Sequence, residues 1–211
     1  MKNKTHYLLV AFLLVTVSFV GCKKDDDDDN TPAPPAITVD SPEQMTGKID
    51  GVAFSWVTGG SNPYQGTVSS GGPVAFPPDS SEFILGTGME NIVTGDYLMD
   101  INLGTYRFLA PTDSIQMTNF FAIKSWNYSI DAENGVEIIY YDSNSWMWST
   151  SYGTASQAGS TFSLQERKYF EFLGEPYMTI KASFNCVLYN GLGASKVLTD
   201  GVVVANFTSD F

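Results

Sequence analysis

The sequence predicts an all-β fold, an antiparallel β-sandwich or an open β-barrel, formed by a single domain over residues 41–211. Short segments of this region alternate apolar and polar residues, which is typical of strands that bury one face. Asx-Gly pairs, which favour the tight turns of β-hairpins, lie between several of these segments. No long segment spaces its apolar residues as a helix does. A sheet with one short helix near residues 164–172 is the alternative.

The clearest predicted strand covers residues 178–189. Its even-numbered residues from Met178 to Leu188 are apolar, and most of the residues between them are polar. Residues 97–103 alternate in the same way, with Tyr97 as the first apolar member of the row. Because successive side chains of a strand point to opposite faces, each row is expected to face a core.

Four Asx-Gly pairs and one polar segment predict the turns. Asp50-Gly51 and Asn134-Gly135 are predicted to form hairpins between the strands on either side, because Asx and Gly accept the positive φ angles of a type I′ turn. Asn190-Gly191 and Asp200-Gly201 are predicted to mark the two ends of the last loop. Residues 58–80 are rich in Gly, Ser and Pro, which predicts one long surface loop, with an irregular flap as the alternative.

Charge and histidine content exclude several classes of function. The chain has 11 Lys and Arg against 23 Asp and Glu, a formal net charge of -12. This charge argues against nucleic acid as a partner, because phosphate binding requires a basic face. The one histidine, His6, lies in a segment that is predicted to be removed. The mature chain would then lack the imidazole that Ser-His-Asp catalysis, Cys-His catalysis and many zinc sites require.

Residues 1–21 have the layout of a secretory signal. Lys2 and Lys4 supply a basic start, and residues 7–20 are uncharged and mostly apolar. This apolar run is shorter than the roughly 20 residues that a membrane-spanning helix needs. It is therefore expected to be a cleaved signal, with a membrane-spanning anchor as the alternative.

The end of this segment, Phe19-Val20-Gly21-Cys22, resembles the lipobox of bacterial lipoproteins. The resemblance implies that cleavage makes Cys22 the first residue of the mature chain and that its thiol carries a diacylglyceryl group. Several acyl chains, palmitate among them, hold a protein stably at a membrane where one chain binds only marginally.

The residues that follow Cys22 form a charged run: Lys23, Lys24, Asp25, Asp26, Asp27, Asp28 and Asp29. Five adjacent carboxylates repel one another and stay solvated, which predicts a disordered tether over residues 22–40 together with the Pro-rich residues 31–36. The run resembles the acidic surface-export signal of Bacteroidota lipoproteins, which implies that the protein faces outward from the outer membrane. A plain solvated tether and a weak calcium-binding tract are the alternatives.

Short motifs of the predicted domain resemble small, uncharacterised lipoprotein domains that are common in Bacteroidota. Residues 45–54 (MTGKIDGVAF) resemble the first hairpin of these domains, and residues 104–106, 159–162 and 198–201 resemble later strand starts. The resemblance spans most of residues 45–207 and implies a fold and a cellular location. It implies no catalytic residues.

Aromatic residues are the main candidates for ligand binding. Trp146 and Trp148 are two residues apart, so on a strand they would share a face. An exposed row of aromatic rings would stack on the apolar C–H faces of sugars. Burial in the core is the alternative for each ring, since each would remove about 150–250 Å² from water. The predicted ligand-binding residues are Trp146, Trp148, Tyr141 and Trp126.

Carboxylates are the second set of candidates, because an enzyme without histidine would rely on paired acids, as glycosidases do. Cys186 lies on the apolar row of residues 178–189 and is expected to be buried and inert. No metal site and no cofactor is predicted. The candidate acids are Asp96 with Asp100, Asp131 with Glu133, and Glu166 with Glu171 and Glu175.

The sequence therefore predicts an outer-membrane lipoprotein, anchored through Cys22 and exposed at the cell surface. Its domain is expected to be a non-catalytic binding or structural module whose partner is a glycan or a protein of the envelope. A carboxylate-based polysaccharide hydrolase is the alternative. A hydrolase needs two carboxylates across a groove, one of them with a raised pKa, whereas a binding module needs an exposed aromatic face.

Replacing Cys22 by Ser removes the thiol that would carry the lipid, so the protein is expected to leave the membrane fraction of cells. Replacing Asp25–Asp29 by Asn is expected to leave the protein anchored but hidden from protease added outside the cells. Cell fractionation and external proteolysis measure the two effects. A Cys22→Ser protein that stays with the membrane would contradict the lipid anchor, and unchanged protease access would contradict the export signal.

Overall fold

The computed structural model describes residues 35–70, 74–76, 80–109, 114–122, 125–129, 134–152 and 156–208. The predicted signal segment, Cys22, the acidic run and the candidate pair of Asp131 and Glu133 lie outside these ranges. Residues from Ile37 onward belong to one compact unit.

Strands make up most of the described chain, which also contains one short helix, α1 (Ser114–Phe120). The strands are β1 (Gln44–Ile49), β2 (Val52–Val57), β3 (Tyr64–Ser70), β4 (Val74–Phe76), β5 (Ser80–Asn91), β6 (Asp96–Leu109), β7 (Ser125–Trp126), β8 (Val136–Tyr141), β9 (Met147–Ser149), β10 (Thr161–Phe172), β11 (Glu175–Tyr189) and β12 (Ser195–Thr208).

These strands form one antiparallel sheet in the order β2-β1-β12-β11-β9-β8-β6-β5-β3. Outside this path β10 pairs with β11, β7 with β10, and β4 with β5. The sheet curls until its two terminal strands, β2 and β3, approach each other, so that it forms a nearly closed barrel. The prediction of an all-β antiparallel fold is confirmed, and of its two forms the open barrel is the one found.

The predicted apolar row of β11 lies in the core. Each even-numbered residue from Met178 to Leu188 is at most 3% exposed, and Cys186 is among them. The residues between them are half-buried on the opposite face. Strict alternation therefore predicted both the strand and the face that it buries.

The predicted row of β6 is confirmed except at Tyr97, which is 57% exposed. Met99 pairs with Met89 of β5, but Tyr97 pairs with the next residue, Glu90, so that Leu98 has no partner of its own. An extra residue in one strand is a β-bulge, and it reverses the alternation beyond it. The prediction that Tyr97 faces the core is therefore wrong.

Two of the predicted turns are confirmed. Asp50 and Gly51 have φ angles of 50° and 81°, which a type I′ turn requires, and they join β1 to β2. Asn190 and Gly191 begin the loop between β11 and β12, where the Asn190 side chain accepts a hydrogen bond of 2.9 Å from the backbone N–H of Leu192.

The other two Asx-Gly predictions are wrong. The segments on either side of Asn134-Gly135 do not form a hairpin, because the bridge that joins Asn127 to Gly135 is parallel. β7 pairs with β10, whereas β8 pairs with β6 and β9. Asp200-Gly201 lies inside β12 and does not end a loop. The register of both neighbours, β1 and β11, shifts opposite this point, and Asp200 has a φ of 55°. The pair therefore forms a β-bulge.

The prediction of one long surface loop over residues 58–80 is also wrong, and so is the alternative of a short helix near residues 164–172. Residues 64–70 form β3, which pairs with β5 along its whole length; small and polar residues suit this terminal position in the sheet. Residues 164–172 belong to β10. The helix lies instead at Ser114–Phe120, and its two turns are too short to produce a helical apolar pattern.

Glu43, just before β1, links the two sides of the nearly closed barrel. Its Oε1 accepts hydrogen bonds from the backbone N–H and the side-chain amide of Asn206 on β12, at 3.2 and 2.9 Å. The same carboxylate lies against Gly66 of β3, where a Cβ atom would be 2.5 Å from Oε2. Burial raises the pKa of Glu43, and the hydrogen bonds from Asn206 oppose this rise. The seam between β12 and β3 therefore contains a carboxylate that fits because residue 66 has no side chain.

Gly201 lies opposite Phe184, and a Cβ atom there would be 2.7 Å from the ring and from the carbonyl oxygen of Phe184. Gly201→Ala is therefore expected to lower the free energy of unfolding by about 1–3 kcal/mol. In Gly51→Ala, the matched control, the Cβ atom meets open space but φ is 81°, and the expected loss is about 1 kcal/mol. Urea unfolding measures both. A smaller loss for Gly201→Ala than for Gly51→Ala would contradict the packing argument.

Candidate ligand-binding groove

A groove of about 370 Å³ opens where three parts of the sheet meet. Trp56 of β2 forms one side, residues 95–98 at the start of β6 form another, and the end of β8 with the turn after it forms the third. β2 and β6 meet here because the sheet curls towards closure. The lining residues are Trp56, Gly95, Asp96, Tyr97, Leu98, Tyr140, Tyr141, Asp142, Ser143 and Ser145.

Aromatic rings form much of the groove wall. The rings of Tyr97 and Tyr141 lie 6.0 Å apart at an angle of 45°, on neighbouring strands. Trp56 is half-buried against Phe54, with ring centroids 4.4 Å apart. Tyr140 packs against the core from the inner face of β8. The groove therefore offers fixed apolar surfaces to a ligand.

Asp142 organises the turn that borders the groove. Its Oδ1 accepts hydrogen bonds from the backbone N–H groups of Asn144 and Trp146, at 2.9 and 3.1 Å. Its Oδ2 accepts one of 3.0 Å from Nε1 of Trp148. Desolvation alone would raise the pKa of Asp142, but these hydrogen bonds and the charge of Lys196 outweigh it and lower the pKa. Asp142 is therefore a carboxylate at neutral pH and gives the groove a negative charge.

Trp146 and Trp148 do not form the shared exposed face that their spacing predicts. Trp146 precedes β9 and is 53% exposed beside the groove, whereas Trp148 is half-buried. Lys196 Nζ lies 4.5 Å from the centre of the Trp148 ring and 3.7 Å from Asp50 Oδ2, so it covers one face of this ring. Trp148 therefore supports the turn that carries Asp142.

The other two predicted ligand-binding residues have different positions. Tyr141 lines the groove. Trp126 is 4% exposed and packs edge-on against Phe120, with ring centroids 5.2 Å apart. Its ring belongs to the core and is not accessible to a ligand at the surface.

A pair of carboxylates lies next to the groove. The Tyr141 hydroxyl donates a 3.0 Å hydrogen bond to Asp100 Oδ2. Burial raises the pKa of Asp100; this hydrogen bond opposes the rise, and the charge of Glu137 adds to it. Glu137 Oε1 accepts a hydrogen bond of 2.6 Å from Ser149 Oγ. Of the candidate pair Asp96 and Asp100, only Asp96 lines the groove.

Trp56 and Tyr97 are among the lining residues that the sequence did not single out as ligand-binding. Trp56 comes from β2, far along the chain from β6 and β8, and only the curvature of the sheet brings it to them. Tyr97 is exposed because of the bulge at Leu98. No local pattern in the sequence indicates the curvature that brings Trp56 to the groove or the bulge that exposes Tyr97.

In the part of the chain that the structure describes, no three Asp, Glu, Cys or His side chains come together as a metal ion would require. No helix among these residues is long and apolar enough to cross a membrane. Cys186 is buried and unbridged, and burial raises the pKa of its thiol to about 12. A second opening of about 370 Å³, beside Glu43 and Lys168, has one aromatic lining residue, whereas the groove has four. The groove is therefore the candidate for ligand binding.

Asp100 holds its proton more tightly in the folded chain than in the unfolded chain, so the stability that it contributes falls as pH rises through its raised pKa. Asp100→Asn removes this effect and keeps an acceptor for the Tyr141 hydroxyl. The variant is expected to melt a few degrees higher than the parent at pH 7, and the two melting temperatures are expected to converge at about pH 3. Thermal melts from pH 3 to 8 measure this, with Asp96→Asn as control. A variant that is less stable than its parent at pH 7 would contradict it.

Comparison of the chain with protein-family models, with curated proteins and with solved structures finds no match. What the groove can bind follows from its own chemistry. It combines aromatic walls with a turn that carries an ionised carboxylate and two serine residues.

Proposed function

We propose that this protein is an outer-membrane lipoprotein, displayed at the cell surface, whose β-domain is a non-catalytic module that binds a glycan in the groove. The observation that carries the proposal is the combination of Trp56, Tyr97 and Tyr141 with the carboxylates Asp96 and Asp142 around one opening. The lipobox-like sequence that ends at Cys22 supports the cellular location.

The chemistry of the groove suits a sugar. Pyranose rings have apolar C–H faces that stack on aromatic rings, and their hydroxyl groups donate hydrogen bonds to carboxylates. Tyr97 and Tyr141 supply the rings and Asp96 supplies a carboxylate in the same opening. A volume of about 370 Å³ lies within the range of small-molecule sites, roughly 300–1,000 Å³. A stable protein partner would cover roughly 800 Å² of each surface, whereas a groove of this volume suits a small ligand.

The position of the groove is consistent with display at a surface. Residues 37–40 lead into the domain beside β10, where Asp40 forms an ion pair with Lys168. Lys168 pairs with Thr179 near the start of β11, whereas the groove borders the strands that meet β11 at Tyr189, its last residue. Ten residues of strand separate these two points, about 30 Å. The groove therefore opens far from the point where the chain enters the domain.

A carboxylate-based hydrolase is the second candidate, and the raised pKa of Asp100 beside Glu137 favours it. A general acid needs a raised pKa, and burial raises the pKa of Asp100. Asp100 is bonded to Tyr141 and does not line the groove, and Asp142 is occupied by three N–H donors. These contacts favour binding over catalysis.

A glycan-array screen of the purified Cys22→Ser chain tests the proposal. Tyr97→Ala removes a groove ring and is expected to weaken binding at least tenfold, since stacking would be lost. Phe172→Ala is the matched control, because Phe172 is 58% exposed against 57% for Tyr97 but lies at the opposite end of β11. Circular dichroism checks that both variants fold.

Three outcomes would contradict the proposal. Absence of binding to any glycan would favour an envelope protein as the partner. Equal binding by Tyr97→Ala and Phe172→Ala would remove the groove as the site. Release of reducing sugar from a bound glycan, lost in Asp100→Asn, would favour the hydrolase.

A further inference from the structure

The hairpin between β10 and β11 ends in an exposed apolar tip. Phe172 pairs with Glu175, and Leu173 and Gly174 form the two-residue turn between them. Phe172 is 58% exposed and Leu173 is 88% exposed, the highest value for a large apolar side chain in the described part of the chain. Burial within the domain therefore does not explain why these two residues are apolar.

The geometry of the turn does not explain why residue 173 is a leucine either. Leu173 and Gly174 have φ angles of 55° and 89°, close to the 50° and 81° of Asp50 and Gly51 in the β1–β2 hairpin. A type I′ turn favours Asn, Asp or Gly at its first position, because a branched apolar side chain strains the left-handed backbone. The β1–β2 turn has the favoured residue, whereas the β10–β11 turn has a leucine that strains the backbone and meets solvent.

Aromatic rings stiffen the hairpin beneath this tip. Phe170 stacks on Tyr177, with ring centroids 5.1 Å apart and planes at 23°. Phe172 meets the same Tyr177 edge-on, at 6.3 Å and 80°. The tip is therefore a preformed apolar wedge at the end of two long paired strands.

The tip lies at the end of the domain where the chain enters. Asp40 forms an ion pair with Lys168, and the backbone N–H of Val39 donates a hydrogen bond of 2.9 Å to Glu166. Both contacts are on β10, five to seven residues before Leu173. Eighteen residues separate Cys22 from Asp40, which can span at most about 60 Å. A chain anchored at Cys22 thus keeps this end of the domain within reach of the bilayer.

We propose that Phe172 and Leu173 insert into the lipid surface to which Cys22 anchors the chain and so orient the domain on it. This inference rests on the proposed lipid anchor. Glu171 and Glu175 flank the tip, and Lys168 is already paired with Asp40. The tip therefore suits zwitterionic headgroups better than anionic ones, which would repel it.

Flotation of the purified Cys22→Ser chain with phosphatidylcholine vesicles tests this, because any binding is then independent of the acyl chains. Leu173→Asn is expected to lower the lipid partition coefficient at least fivefold. The same change is expected to raise the melting temperature, since Asn suits the positive φ. Leu192→Asn is the matched control, because Leu192 is 75% exposed in the β11–β12 loop at the other end of β11, and it is expected to partition as the parent does.

The result that supports the proposal is a Leu173→Asn chain that is more stable than its parent and binds vesicles less. A parent that does not float with the vesicles, or equal partition of the two variants, would overturn it. A parent that elutes as a dimer while Leu173→Asn elutes as a monomer would assign the tip to a second copy of the chain. None of these outcomes affects the anchor at Cys22 or glycan binding at Tyr97, which cell fractionation and the array measure separately.

Discussion

Closure of the sheet depends on the half-buried carboxylate of Glu43. It accepts two hydrogen bonds from Asn206 on β12 and lies against Gly66 on β3, so it joins strands from the two sides of the seam. Burial of a carboxylate is unfavourable and raises the pKa of Glu43, and the two hydrogen bonds from Asn206 oppose this effect. The same closure brings Trp56 of β2 to the start of β6. The groove therefore depends on a polar contact that none of its own lining residues makes.

The parts of the fold that the sequence predicted correctly are those set by neighbouring residues. The buried face of β11 follows from strict alternation, and the turn at Asp50-Gly51 follows from the backbone preferences of two residues. The wrong predictions lie where pairing with a neighbouring strand determines the local structure. Asp200-Gly201 has the composition of a turn, yet β1 and β11 pair on both sides of it and keep it in β12 as a bulge. Tyr97 has the period of a core residue, yet the bulge at Leu98 turns it outward.

The same distinction explains which site residues were predictable. Tyr141 and Trp146 lie in or beside the groove because they border a local turn that Asp142 holds. Trp126 has the same chemical character, but α1 packs Phe120 against it and closes it off. Trp56 reaches the groove through sheet closure, which no short segment of sequence encodes. Aromatic content thus indicated the chemical character of the candidate groove, whereas the tertiary fold determines which rings line it.

Two hairpins have turns of the same backbone type but differ in how well their residues suit it. The Asp50-Gly51 turn has residues that suit its positive φ angles. The Leu173-Gly174 turn has the same geometry but begins with a leucine that is strained and exposed. They lie at opposite ends of a sheet whose strand β11 has 15 residues, roughly 45–50 Å long. A paired strand of that length is stiff, so a contact at one end sets the direction of the other. Under the proposed lipid anchor, insertion of the Phe172–Leu173 tip would therefore fix the direction of the domain and hold the groove away from the lipid surface.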